Sequence, residues 1–321
     1  MKFLAIVFCL IVGFGSAAQT QSTSIHEFNS GPQNLNTKNF FYDNGEEIIA
    51  FDAQLTPELT TQSIQFIQSK SKNPITWLVI LQPGVFQFGG ASVFQGVGAR
   101  VIASRKTVDA MQAEYESKKK FFLEGAGKSF GFTIDNWPAL PKVDSVFEDS
   151  HRLELKNGQV IILKDLSKPG ASANHTVAYI AEEEAVFVSD LVHYQSHAWL
   201  EGYPMNGKNI STFQSWMDDL NELNKIFKRD PAVTVYASRG KLANLPTGVY
   251  EQTRYLKASY PIIINYYSAN RSNWQGGNIP EKYYREFQAE MEQAFPQLQM
   301  SVLVRSALRA CWACPEAEKL K

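Results

Sequence analysis

Residues 77–94, WLVILQPGVFQFGGASVF, constrain the fold of this chain more than any other stretch. An apolar run climbs to Leu81, breaks at Pro83 and Gly84, and resumes through Gly89 and Gly90 into a short apolar patch with helical spacing. That pattern predicts a buried strand, a tight loop and a helix start. In α/β proteins the loop after the carboxyl end of a strand is where sites are built. This loop offers Gln82, Gly84, Phe86 and Gln87, and none of them is a strong metal ligand, a nucleophile or a general base near neutral pH.

Other signals place elements on either side. Asn44-Gly45 separates two strand-like runs, residues 39–42 and 47–52, and predicts a hairpin. Thr56-Pro57-Glu58 opens a helix through residue 68, with Thr56 as cap and Pro57 at the first helical position. Residues 100–104 read as a strand and 106–122 as a helix, and Asn157-Gly158 turns a second hairpin between 151–155 and 159–163. Strands follow at 176–180, 185–188 and 233–236, with helical patterns at 212–227, 251–259, 280–295 and 300–310. Strands alternating with helices give an α/β or α+β class. Two charge triplets, Lys118 to Lys120 behind Glu114 and Glu116, and Glu182 to Glu184, are expected to be solvated. GAGKS at 125–129 lacks the first glycine of a phosphate-binding loop, since Phe122 stands there, and reads as a plain loop.

The frame around residues 77–94 resembles the metallo-β-lactamase superfamily, whose members place H-x-H-x-D-H on this loop ahead of glycine and a short helix. LQPGVFQFGG fits that frame with every ligand position changed. Gln82 and Gly84 stand where the first two histidines would be, Phe86 where the aspartate would be, and Gln87 where the third histidine would be. Val188-Ser189-Asp190 is similar to the family's strand ending in glycine-aspartate, whose aspartate bridges metal ions, and His175-Thr176 to its histidine-threonine pair. Ala237-Ser238-Arg239-Gly240 resembles the glycine-histidine-glycine turn, with Arg239 in place of the last metal histidine. The resemblance spans residues 39–260 and implies a four-layer αββα sandwich, two mixed sheets face to face with helices outside. Residues 261–321 then form a C-terminal helical extension packed on that domain. His175 either faces the old site or is a packing or surface histidine, because a one-residue slip on a strand turns a side chain to the opposite face.

Zinc hydrolases hold their ion with imidazole and carboxylate groups and leave a position open for water. His175 and Asp190 alone are too few, and the positive Arg239 would repel a cation. Arg239 is instead the expected partner of Asp190, with Gln82, Gln87 and His175 satisfying the remaining donors and acceptors. A relocated zinc site is the competing reading. Asp190, His193 and His197, spaced i, i+3 and i+7, share one face if the segment is helical, with His175 nearby. Otherwise these histidines, beside Tyr194 and Trp199, pack or form hydrogen bonds.

At 321 residues and 44% hydrophobic, the chain can bury a large core. With 31 lysines and arginines against 32 acidic residues and no extended basic cluster, nucleic acid is not an expected partner. Residues 1–18 carry Lys2, an apolar core and the small residues Ser16, Ala17 and Ala18, the pattern of a secretory signal peptide cleaved after Ala18. The apolar core falls short of the ~20 residues of a spanning helix, and no later stretch predicts stable membrane insertion. Polar residues 19–38 form an extended or poorly ordered lead-in without function. Cys9 leaves with the signal peptide, so Cys311 and Cys314 form a local disulfide in an oxidising compartment, or act in redox chemistry or assembly. Sequons stand at Asn174, Asn209 and Asn270; the last two lie in polar, turn-like stretches, and Asn174 beside the pocket is expected to be occluded.

These observations predict a secreted or secretory-lumen protein that is catalytically silent, needs no cofactor, and acts as a binding or structural protein toward a small molecule or another protein. The alternative is a zinc hydrolase of ester, lactam or thioester substrates with a site rebuilt around Asp190.

Overall fold

The computed structural model describes residues 24–124, 128, 130–205, 208–274 and 279–311. The expected signal peptide and Cys314 lie outside these residues.

The first half of the chain builds a six-stranded sheet whose strands lie in sequence order: β1 (Ile25–Asn29), β2 (Lys38–Asp43), β3 (Ile48–Phe51), β4 (Ile75–Val79), β5 (Arg100–Ser104) and β6 (Ser145–Phe147). The first three strands pair antiparallel, and Asn44 turns the hairpin by accepting from the amides of Glu46 and Glu47. The remaining neighbours are parallel and need crossovers. These are α1 (Pro57–Lys70), then α2 (Val85–Phe88) with α3 (Ala91–Gly96), then α4 (Arg105–Glu124). Thr56 caps α1 by accepting from the Leu59 amide at 3.3 Å, with Pro57 behind it.

The second half repeats the plan. Strands β7 (Ser150–Glu154), β8 (Val160–Asp165), β9 (Thr176–Ile180) and β10 (Ala185–Ser189) form an antiparallel run. A small hairpin, β11 (Tyr203–Met205) and β12 (Lys208–Ile210), leads to α5 (Phe213–Ile226) and β13 (Thr234–Ala237), which lies parallel to β10. β14 (Ala243–Asn244) closes the edge, giving the order β14-β13-β10-β9-β8-β7. Then come α6 (Leu245–Asn270), α7 (Glu281–Ala294), a 3-10 helix at Ser301–Arg309 and β15 (Ala310–Cys311), which pairs with β12.

Period-two alternation sorts the side chains into three cores. On β3, Ile49 and Phe51 face the second sheet while Ile48 and Ala50 face the helices, and on β10 Phe187 points inward while Val186 and Val188 point out. Phe51 and Phe187 stack across the middle, 3.8 Å between ring centres and 12° from parallel. Outside the first sheet lie α1, α3 and α4, through Ile64, Phe94 and Met111. Outside the second lie α5, α6 and α7, through Leu220, Leu256 and Phe287. The result is a four-layer αββα sandwich. Among the described residues, no helix is long and apolar enough to cross a membrane.

Four expectations change. Part of the polar lead-in is strand β1, held by five register pairs with β2. The boundary at residue 260 falls inside α6, which continues past Pro261 because Leu256 and Ile263 are buried on either side of it. The helical pattern at 300–310 is a 3-10 helix. Glu114 is buried, and Lys118 is half-buried with its ammonium between Glu114 and Glu201 rather than out in solvent.

Candidate functional site

The loops after β4, β10 and β13 meet at one edge of the sandwich, beyond the carboxyl ends of the strands. The loop after β4 is anchored by Asp52, whose Oδ1 accepts from the Leu81 amide at 2.9 Å, and by the Leu81 carbonyl, which accepts from the Thr176 amide of the second sheet. Gly89 and Gly90 press against Leu55 and Thr60, so closely that a Cβ at either position would collide with them. Asp190 follows β10 at a sharp corner where Ser189 takes a φ of +51°, and its hydroxyl donates to Asp52 Oδ2 at 2.6 Å. This left-handed position is where the resembled family carries glycine.

Asp190 is the hub. Its Oδ1 accepts from Arg239 Nη1 at 2.5 Å and from the Ser238 hydroxyl at 3.0 Å, and lies 3.4 Å from His193 Nε2. Its Oδ2 accepts from Gln82 Nε2 at 2.7 Å and from Gln87 Nε2 at 3.1 Å. Arg239, 1% exposed, also donates from Nη2 to the Thr37 hydroxyl at 3.1 Å. Burial by itself would push the Asp190 carboxyl up; the Arg239 guanidinium, with His193, overrides it and holds the group well below its ordinary value. Burial pushes neighbouring Asp52 up to about 7, against the Ser189 and Leu81 hydrogen bonds.

Phe86 closes the top. It meets Phe122, Phe130 and Trp199 edge-on at 6.2, 5.8 and 5.9 Å, and the guanidinium carbon of Arg239 lies 4.9 Å from its ring centre. The space left is about 50 Å³, lined among others by Gln82, Phe86, Asp190, Trp199, Glu201 and Arg239. That accommodates a few waters and no organic substrate of ordinary size.

The four members of the alternative metal set do not come together. Residues 190–199 form turns and loop instead of helix, so the i, i+3, i+7 spacing defines no common face. His193 stays beside Asp190, but His197 turns away to Tyr255, with Nδ1 3.1 Å from its hydroxyl, and meets Phe295 edge-on. His175 is buried against Gly170, and its Nε2 accepts from the Ser172 amide at 3.1 Å rather than from any group bonded to Asp190. Burial pulls the His175 imidazole down to about 4, with Asp190 opposing. Among the described residues no group of three or more histidine, cysteine, aspartate or glutamate side chains is arranged to hold a metal ion. The donors around Asp190 also do not fit zinc: both carboxylate oxygens are occupied by N–H groups, and one of these belongs to a guanidinium, whose positive charge repels a cation.

Several site residues carried no sequence motif. Thr37 belongs to the stretch read as a lead-in and Asp52 ends a strand-like run, while Ser189 and Ser238 lie within segments that carried the resemblance without being given a role. Beside the cavity, Glu201 accepts from Trp199 Nε1 at 2.9 Å and Asn209 Nδ2 at 3.0 Å, and lies 3.2 Å from Arg309 and 3.5 Å from Lys118. Burial would raise this carboxyl, but Arg309 and then Lys118 hold it at about 2. Of the sequon asparagines, Asn174 is buried and donates to Ser104, Thr107 and Asp165; Asn209 is half-buried on Glu201; Asn270 ends α6 and donates to the Tyr266 carbonyl.

The sequence matches no family model and no curated protein. Solved structures do match. A metallo-β-lactamase from Pontibacter korlensis superposes with a TM-score of 0.51 at 17% identity, over 69% of this chain and 87% of that one. The metallo-β-lactamase FIM-1 from Pseudomonas aeruginosa, in its mono-zinc form, gives 0.50 at 16%, over 69% and 83%. The metallo-β-lactamase DIM-1 exposed to ceftazidime gives 0.53 at 11%, over 75% and 96%. Identities this low speak to architecture and not to chemistry. The chain has the metallo-β-lactamase fold.

Proposed function

We propose that this is an exported protein that uses the metallo-β-lactamase fold without a catalytic metal, as a binding or structural protein and not as a hydrolase. The observation that carries the reading is the Arg239 guanidinium on Asp190. A buried carboxylate needs a positive partner, and here the chain supplies one from its own side chains, which removes both the vacancy and the attraction for a divalent ion. Phe86 supports the same reading, because an aromatic plug over a cavity of about 50 Å³ leaves no approach for an ester, lactam or thioester. Export rests on Lys2, the apolar stretch after it, and Ser16 to Ala18.

The test is metal analysis of protein secreted from a eukaryotic culture and purified without chelator, alongside assays on ester, lactam and thioester substrates. The expected result is no stoichiometric zinc, no rise in Tm on adding zinc, no turnover, and a mature chain beginning near Gln19. One zinc per chain with chelator-sensitive hydrolysis would overturn the metal-free reading, and full-length chain retained in the cytosol would overturn export.

A further inference from the structure

The turn between α5 and β13 carries the longest unbroken run of exposed residues among those described, residues 228–232. It is built as a helix stop. The Lys228 amide donates to the Lys225 carbonyl at 3.2 Å and the Arg229 amide to the Asn224 carbonyl at 2.9 Å. Both residues are left-handed, with φ of +51° and +57°. Glycine takes such a position freely, whereas side chains as large as lysine and arginine hold it under strain.

Nothing inside the fold offsets that strain. Both side chains stand in solvent, without an ion pair or a side-chain hydrogen bond to a described residue. A local rule broken with no internal gain points to a use outside the fold. Adjacent basic residues occur at Arg105-Lys106, at Lys118 to Lys120 and at Lys228-Arg229. The first two groups lie in α4, whose helical backbone is closed to an endoprotease that grips its substrate in extended form; Lys228-Arg229 lies in an exposed turn beside a helix end, where local opening is easiest. Pro231 biases Asp230 toward the extended form on the far side of Arg229.

We propose that Lys228-Arg229 is a processing site for a secretory serine endoprotease selective for paired basic residues, which cuts between Arg229 and Asp230. Water is the co-reactant: its hydroxyl goes to the Arg229 carbonyl carbon as the amide C–N bond breaks, leaving a carboxylate on Arg229 and an amine on Asp230. The proposal rests on the reading of the chain as exported, because such a protease meets its substrates in the secretory lumen. A sulfated or phosphorylated polyanion is the other class of partner for a basic pair, and the surroundings oppose it. Asp230, Glu184 and Glu182 all act on Tyr179, whose ring packs 4.8 Å from that of Phe227.

The cut chain should stay assembled. In the second sheet β13, from the second piece, pairs with β10 of the first; Arg239 sits on Asp190, and α5 and α6 share one core through Leu220 and Leu256. Cys311 and Cys314 both lie in the second piece, so no disulfide ties it to the mature first piece.

Limited digestion of the purified chain with a subtilisin-family endoprotease of Lys-Arg selectivity tests the proposal. The expected result is one early cut, a new amino terminus at Asp230, and two pieces that co-elute on gel filtration and part in urea. Lys228→Gly and Arg229→Gln should each slow the cut by about tenfold or more, since each removes a charge that the protease reads. Glycine relieves the left-handed strain, so Lys228→Gly should melt no lower than wild type, and its resistance cannot then be laid to altered folding. A wild-type chain left intact while an unfolded control is cut, a first cut within α4, or equal rates in wild type and both variants would each overturn the proposal. So would retention of the uncut chain on heparin that Arg229→Gln loses, which assigns the basic pair to a polyanion. The digestion is read on chain purified from any compartment, so a failure here is distinguishable from a failure of export.

Discussion

Arg239 reaches from the loop after β13 to Asp190 at the end of β10, and the two opposite charges meet directly within the buried site. A pair of this kind owes its value less to attraction than to the cost of breaking it.

That cost gives the first prediction. Asp190→Asn or Arg239→Met alone should destabilise the fold by ~3–5 kcal/mol, because each leaves a buried, unpaired charge. The double variant should cost clearly less than the sum of the two. Urea unfolding of all four proteins measures the coupling, and additive effects would show that the two charges do not depend on each other.

His175 makes the site sensitive to acid. Its imidazole lies at about 4 in the folded chain against 6.5 as a free side chain, so the unfolded state binds more protons across that window and stability falls as pH drops through it. The stability difference between wild type and His175→Gln should therefore be constant above about pH 7 and move steadily against the wild type below it. Denaturant titrations at stepped pH read this directly, and a difference that stays level through that whole window refutes a neutral, buried imidazole.

Gly89 sets the position of the loop. A methyl group there would run into the Leu55 and Val85 carbonyls, which are backbone and cannot swing aside. Gly89→Ala should cost ~1–3 kcal/mol, as overpacking does. Gly96→Ala is the control: nothing lies within 4 Å of the added carbon, and helix propensity favours it. Equal melting temperatures for the two variants would contradict the tight seating of the loop.

Glycans should avoid Asn174. Its amide nitrogen is committed to Ser104, Thr107 and Asp165 in the interior, so a chain carrying sugar there cannot reach this packing. Asn270, at the end of α6, keeps only a bond to its own helix, and Asn209 leans on Glu201. Glycopeptide mapping of secreted protein should find Asn270 modified ahead of Asn209 and Asn174 bare. Full occupancy at Asn174 in folded material would contradict its buried place.

Much of the sandwich could be read from local signals, because strand alternation, the Asn44-Gly45 turn and the Thr56 cap act over a few residues. The meeting of Asp190 and Arg239 was legible only through the resemblance, which sets both residues at metal-ligand positions of one site. What escaped depends on distance along the chain. Thr37 reaches Arg239 across 202 positions, and Lys118 reaches Glu201 across 83, and no periodicity encodes such contacts. His197 was misplaced for the opposite reason: its spacing from Asp190 implies proximity only in a helix, and that segment is a series of turns.

A site that borrows its positive charge from solution is complete only while the medium supplies the ion, and its folding then follows the metal's concentration and the strength of competing chelators. A charge carried by Arg239 is delivered at synthesis, one per chain, and cannot be stripped, exchanged or outcompeted. Such a chain should reach its final form equally well in zinc-starved and zinc-rich surroundings.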